Sequence, residues 1–156
     1  MAFDGSLERV RDAFVRTGKS LDRMVTYAGS PALSMSASFV HLVDTQLTGG
    51  VGVDGHGSFG GLWYPGAGGP GVQLDSSLLH AVASRISGGT GGNVNYVLAG
   101  GPGGAGLVAN ASETRDVYSV YAGGLGGTGP GGNGAPGSPT VLTGGGTVGE
   151  QGYFFA

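Results

Sequence analysis

Two consecutive stretches decide the fold that the sequence predicts: 33-LSMSASFVHLVDTQL-47 and 51-VGVDGHGSFGGLWY-64. In the first stretch the odd positions are mostly apolar and the even positions begin with three serines. This period of two is typical of a strand with one buried face. The intervening Thr48-Gly49-Gly50 is typical of a turn, so the pattern predicts an antiparallel hairpin.

The pairing of this hairpin depends on the length of its turn. A two-residue turn would place polar side chains of the second stretch among the apolar odd positions of the first. A three-residue turn pairs Phe39 with Phe59 and Met35 with Trp63. Apolar and aromatic cross-strand pairs contribute about 0.2–1 kcal/mol each, so we expect the three-residue turn. In that register His41 lies on the apolar face as a hydrogen-bonded core histidine.

The rest of the chain after residue 25 alternates short apolar segments with glycine-rich ones. Asp75 can cap a short helix whose apolar positions share one face, Leu78, Leu79, Val82, Ala83 and Ile86. Further strands are expected at 93–99, 107–111 and 117–122, with a last hairpin from 140–143 and 147–156. The glycine-rich segments 65–71, 100–106 and 123–138 are expected to be loops. The predicted fold is mainly β, an antiparallel β-barrel or sandwich.

The first 25 residues differ from the rest, because they hold five of the seven basic residues and two of the 37 glycines. Their apolar residues follow heptad spacing, which predicts an amphipathic helix. The apolar face of this helix supplies the five candidate interaction residues: Leu7, Val10, Phe14, Leu21 and Met24. The helix could pack on the chain's own sheet, associate with another copy or lie on a membrane surface. We therefore divide the chain into a helical segment, 1–25, and a glycine-rich antiparallel β domain, 26–156.

Composition excludes several classes of protein. Glycine supplies 37 of 156 residues, which argues against a helical bundle because each interior glycine costs a helix roughly 1 kcal/mol relative to alanine. Charged residues make up 11% and the net charge is −3, so nucleic acid is not an expected partner. The absence of cysteine excludes disulfides and thiolate chemistry. We expect no transmembrane segment and no signal peptide, hence a cytoplasmic chain or one exported by a signal-independent route.

No arrangement of residues in the sequence predicts catalysis. Asp54, His56 and Ser58 have the residue types of a hydrolase triad, but along one strand their side chains would project in parallel rather than converge. A metal site built from His56, Asp54 and Asp44 would have too few histidine and carboxylate ligands. The loops 101–106 and 124–129 lack the lysine of a phosphate-binding loop and open no helix. We expect no enzyme activity, no metal site and no cofactor.

Two long segments, 86–112 and 117–149, carry no charged residue. A soluble monomer usually exposes charges of both signs, so one interpretation is that a partner covers part of this surface. The other is a closed barrel kept soluble by hydroxyl, amide and peptide groups. The triplets that begin at Gly123, Gly126 and Gly129 could form stacked extended helices, but they are too few for a whole domain of that kind.

The order of several segments resembles the glycine-rich virulence-associated (Vap) protein family. The similarity spans residues 33–127 and lies in the serine-alternating strand 34–42, Leu62-Trp63-Tyr64, Leu78-Leu79, the segment 93–97 and Tyr121–Gly127. The resemblance implies an eight-stranded antiparallel barrel without enzyme activity, delivered by a bacterium to act on host membranes or proteins. No functional residue of the family can be assigned to a position here.

These observations lead to two functional hypotheses. The first is a non-enzymatic, virulence-associated interaction protein whose partner is a host protein or membrane surface. The second is a self-assembling structural subunit of a shell, filament or matrix, in which the helix and the uncharged β faces are contacts between copies.

Overall fold

The computed structural model describes residues 28–58 and 61–150, and these form a parallel β-solenoid of about three turns. The chain contains the following strands in this part: β1 (Leu33–Ser36), β2 (Phe39–Val43), β3 (Gln46–Thr48), β4 (Gly57–Ser58), β5 (Gly61–Leu62), β6 (Val72–Asp75), β7 (Leu78–Val82), β8 (Arg85–Ser87), β9 (Leu107–Asn110), β10 (Glu113–Val117), β11 (Val120–Ala122), β12 (Thr140–Thr143) and β13 (Thr147–Glu150).

Each turn adds one strand to each of three parallel sheets. Sheet A has the order β1-β6-β9-β12, sheet B the order β2-β7-β10-β13 and sheet C the order β3-β8-β11. Partner residues on successive turns are separated by 39 and then 35 residues along the chain, as in the hydrogen-bonded pairs Ser38–Ser77 and Ser77–Ser112. The last spacing is 33 residues in sheet A, as for Asn110–Thr143, and 34 in sheet B, as for Glu113–Thr147. The remaining two strands, β4 and β5, form a small antiparallel hairpin.

The chain changes direction between sheets at corners where one residue has a positive φ. Between sheets A and B these residues are Ala37, Ser76 and Ala111, and between sheets B and C they are Asp44, Ala83 and Tyr118. A hydroxyl residue follows every one of them: Ser38, Ser77, Ser112, Thr45, Ser84 and Ser119. The recurrence indicates that the first three turns build the same corner, whereas the corner between β12 and β13 instead has two glycines with positive φ, Gly144 and Gly145.

After sheet C each turn continues into two extended glycine-rich segments that run in opposite directions. One layer contains 28–32, 66–71, 101–106 and 134–139, and the other contains 49–55, 88–94 and 123–129; we call them the glycine layers. Every third amide in a segment donates to its neighbour on the next turn, as Gly49, Gly52 and Gly55 do to the carbonyls of Ser87, Thr90 and Asn93. Three residues per turn is the period of a polyproline II helix.

Glycine is required where the two layers meet. The amides of Gly69 and Gly89 bond across the layers to the carbonyls of Gly50 and Gly69, each at 2.8 Å. A Cβ on Gly88 would lie 2.0 Å from the carbonyl oxygen of Gly104 in the other layer, well inside van der Waals contact. The layers can approach this closely because side chains are absent from their shared surface.

The hydrophobic core lies between the three sheets in the second and third turns. Its buried members are Val72, Leu74, Leu79, Ala81, Ile86, Leu107 and Ala109. These residues alternate with more exposed ones along each strand, as the period of a half-buried strand requires. They belong to parallel strands that stack in register, so the apolar columns of sheet A continue from one turn to the next.

The predicted antiparallel barrel or sandwich is therefore wrong. The expected single strand 33–47 is three strands separated by the corners at Ala37 and Asp44. Each corner shifts the phase of the alternation, so Met35 and Val40 both point inward although one is odd and the other even. His41 consequently lies exposed on the outside of sheet B rather than in the core.

The predicted internal helix is also wrong, because β7 and β8 occupy residues 78–87 and no helix occurs in the part of the chain that the structure describes. The stretch 51–64 is a glycine-layer segment followed by the β4–β5 hairpin, so the predicted three-residue-turn pairing does not form. The tail strands β12 and β13 belong to different sheets rather than to one hairpin. The predicted N-terminal amphipathic helix, 1–25, falls outside the described residues.

Candidate interaction site at the tip loops

Three connections between the glycine layers lie side by side at the end of the layers farthest from the sheets. We call them the tip loops: 56–58 with 61–65, 95–100 and 130–133. They join equivalent positions, since Gly55 pairs with Val94 on the next turn and the amides of Gly66, Gly101 and Gly134 bond to equivalent carbonyls. The change in repeat spacing from 39 to 35 to 33 residues is therefore taken up at the tip.

A ladder of polar side chains holds the bases of the tip loops together. The Oδ1 atom of Asp54 accepts the amide of Asn93 at 2.7 Å, and the Oδ1 atom of Asn93 accepts the amide of Thr128 at 2.9 Å. The Thr128 hydroxyl also donates to Asn93 Oδ1 at 3.0 Å. Hydrogen bonds to a carboxylate are stronger than those between neutral groups, so Asp54 is an effective anchor for the second loop.

The tip loops contact one another through both backbone and side chains. The Tyr96 hydroxyl of the second loop donates to the carbonyl of Trp63 in the first. The amide of Gly131 in the third loop donates to the carbonyl of Leu98 at 3.0 Å. These bonds join the three loops into one surface.

That surface is apolar, aromatic and uncharged. Val97 is 83% exposed and Tyr64 is 44% exposed. None of the residues in 56–65, 95–100 or 130–133 is Asp, Glu, Lys or Arg. Aromatic residues are enriched and charged residues depleted at the centres of protein interfaces, so the tip has the composition of a binding surface.

The residues that the sequence suggested for chemistry do not converge. Asp54 bonds to the backbone of Asn93, and His56 is exposed at the start of the first tip loop. Ser58 lies in β4, and its side chain is not among those described. Within residues 28–58 and 61–150, no group of three or more histidine and carboxylate side chains could hold a metal ion. The five candidate interaction residues from Leu7 to Met24 fall outside the described residues.

The third turn has polar residues at inward positions where the second turn is apolar. Thr114, Asp116 and Tyr121 are the register partners of Leu79, Ala81 and Ile86. The hydroxyls of Thr114 and Tyr121 are buried, with no hydrogen-bond partner among the described residues. Burial, and then the negative charge of Asp116, raise the pKa of Tyr121 above its ordinary value of 10.0. The interior of the third turn is thus more polar than that of the second turn.

Within the described residues, no strand covers the outer edge of the first turn. Its inward residues Leu33, Met35 and Val40 are only partly buried, whereas their register partners Val72, Leu74 and Leu79 are no more than 1% exposed. Strands β1, β2 and β3 each have a hydrogen-bonded neighbour on one side only within the described residues. They carry no charged residue, and charge is a common means of blocking association at a sheet edge.

The sequence contains a repeated motif that predicts this fold and that strand alternation alone does not reveal. A hydroxyl or small residue followed by Gly-Gly-x-Gly recurs after β3, β8 and β11, beginning at Thr48, Ser87 and Ala122. Recurrence of a motif at intervals of 20–50 residues is typical of solenoids. The serine or threonine that follows each corner repeats at the same intervals.

Within the described residues, no helix is both long enough and apolar enough to cross a membrane. Comparisons with protein-family models, with curated proteins and with solved structures found no match.

Proposed function

We propose that this chain is a non-enzymatic interaction protein in which the solenoid is a rigid scaffold and the tip loops contact a protein partner. The observation that carries the proposal is that the tip loops differ most in length from turn to turn, whereas the last corner, between β12 and β13, adds a single residue. In repeat proteins, insertions gather in loops on one face, and that face is often the binding face. Sheets and glycine layers, by contrast, keep their register from turn to turn.

The composition of the tip supports a protein as the partner. Exposed Tyr64 and Val97, with Trp63 and Tyr96 beside them, offer aromatic and apolar area without charge. Tyrosine and tryptophan are enriched among the residues that contribute most to protein–protein affinity. The polar ladder from Asp54 to Thr128 holds the loops in place before binding, which lowers the entropic cost of association.

Site-specific photocrosslinking tests this proposal. A photoreactive amino acid is placed at Val97 in the tip or, as the matched control, at the exposed Gln73 on sheet A, and each protein is irradiated in an extract of its native source. We expect a discrete protein adduct from position 97 that disappears when Tyr64→Ala is added, and no such adduct from position 73. Equal adducts from both positions, or none from position 97, would contradict the proposal.

The open edge of the first turn favours a second candidate function, a self-assembling subunit. Unpaired backbone groups and partly buried apolar side chains on β1, β2 and β3 are the features that strand addition from another chain would cover. Static light scattering on the full chain tests this candidate. We expect a defined oligomer that dissociates when Val40→Lys places a charge at this edge and persists in Val141→Lys, at the opposite end. A monomeric wild-type chain would rule the candidate out.

A further inference from the structure

Two histidines occupy equivalent positions on neighbouring turns of sheet B. His41 in β2 is the register partner of His80 in β7. Both side chains point away from the core, because they alternate with the inward residues Val40, Leu42, Leu79 and Ala81. The two imidazole rings are stacked, with centroids 4.6 Å apart and planes inclined by 8°.

One ring nitrogen of this histidine pair lacks a hydrogen-bond partner, and the neighbouring side chains are apolar. The Nε2 atom of His80 is buried and has no hydrogen-bond partner among the described residues. Apolar neighbours border the pair on each side along both strands: Phe39 and Leu78 on one side, Val43 and Val82 on the other. A buried imidazole nitrogen without a partner is unfavourable unless water or a ligand satisfies it.

The next turn of sheet B places charged side chains beside the pair. Arg115 in β10 is in register with His80, and its Nε atom lies 2.7 Å from the carboxylate of Glu113. This ion pair is about half exposed, so solvent screens its charges. The positive charge of Arg115 is therefore largely offset at the histidine pair.

We propose that His41 and His80 together bind a divalent transition metal ion. Imidazole nitrogen is a preferred ligand of Zn²⁺, Ni²⁺ and Cu²⁺, and Cu²⁺ has the highest affinity for such donors in this series. With metal–nitrogen bonds of about 2.0–2.1 Å, two donor nitrogens on one ion lie about 3–4 Å apart, each with its lone pair directed at the ion. The two rings lie within this reach, but in the stacked arrangement their in-plane lone pairs do not converge, so both rings must turn out of the stack to bind one ion. Water completes the coordination shell.

The alternative is that the stacked rings only pack against each other, as aromatic side chains do in a ladder. A variant that keeps the stacking and removes the nitrogen ligands separates the two. His80→Phe preserves a flat ring in the ladder but cannot coordinate a metal. His56, exposed at the start of the first tip loop, provides a matched control as His56→Phe.

The experiment is a titration of the full chain with CuCl₂, followed by calorimetry and by electron paramagnetic resonance. We expect the wild type and His56→Phe to bind one Cu²⁺ with hyperfine coupling from two imidazole nitrogens. His41→Phe and His80→Phe should each weaken that binding by roughly ten-fold or more and lose the two-nitrogen spectrum. Far-ultraviolet circular dichroism checks that the variants remain folded. Folded His80→Phe with unchanged affinity and spectrum would overturn the proposal and leave an aromatic ladder only.

Discussion

Hydroxyl side chains at the corners connect successive turns of the solenoid. The Ser77 hydroxyl donates to the carbonyl of Asp75 at 2.8 Å and accepts the amide of Ser38 at 3.2 Å, while the Ser77 amide donates to the Ser112 hydroxyl at 3.0 Å. Thr45 and Ser84 are joined in the same way at the other corner. Each hydroxyl therefore satisfies backbone groups that the change of direction leaves unpaired.

Ser77→Ala should lower the free energy of unfolding by about 1–3 kcal/mol, because it leaves the Ser38 amide and the Asp75 carbonyl without that partner. Ser76→Ala is the matched control. Ser76 has a positive φ and is exposed, and alanine occupies the equivalent corner position at Ala37 and Ala111. Urea unfolding of both variants checks the difference. Equal losses would show that the hydroxyl ladder does not contribute to stability.

Ionisation of Tyr121 in the third turn makes the stability of the folded state depend on pH. Its raised pKa means that the folded state keeps the phenol proton at a pH where the unfolded chain releases it. Above about pH 10, the unfolded state therefore binds fewer protons, and stability falls as the pH rises. Tyr121→Phe should show a smaller loss of stability between about pH 8 and pH 11, measured by urea unfolding at each pH. An unchanged pH dependence would contradict this role.

At the scale of elements, the sequence predicts the strands better than the connections between them. Alternation correctly indicates strands near Leu33, Leu107 and Val120, because each strand buries one face. It fails at the corners, because a single residue with positive φ shifts which positions of the alternation face the core. The residue types of Ala37 and Asp44 do not indicate such a corner. A glycine-rich segment such as 123–129 is ordered here by hydrogen bonds to other turns, which local sequence does not reveal.

The close contact between the glycine layers leads to a prediction about stability. Gly88→Ala would place a methyl group 2.0 Å from the Gly104 carbonyl oxygen in the other layer, so the layers must separate. We expect a loss of about 3 kcal/mol or more, near the upper limit for overpacking. Gly149→Ala is the control, because the nearest atom to its new methyl group would be 3.9 Å away. Thermal unfolding compares them, and a stable Gly88→Ala would contradict the close packing of the layers.

At the scale of the whole molecule, the repeat determines the fold and places the tip loops together. The repeats are hard to recognise because their spacing falls from 39 to 33 residues and few identities survive apart from glycine and the corner hydroxyls. The tip residues Tyr64 and Val97 lie 33 positions apart in the sequence, so only the stacking of turns brings their loops to one surface. Neither the candidate site nor the histidine pair could be derived without that register.

Engineered disulfide formation between successive turns tests the register most directly. Ser34 and Gln73 are exposed register partners on β1 and β6, and adjacent strands lie about 4.8 Å apart, within the range that a disulfide spans. The chain has no cysteine of its own, so a Ser34→Cys/Gln73→Cys variant contains a single pair. Under mild oxidation the solenoid predicts a rapid intrachain disulfide in this variant and none in Met35→Cys/Trp63→Cys. The opposite result, a cross-link between positions 35 and 63 alone, would contradict the solenoid.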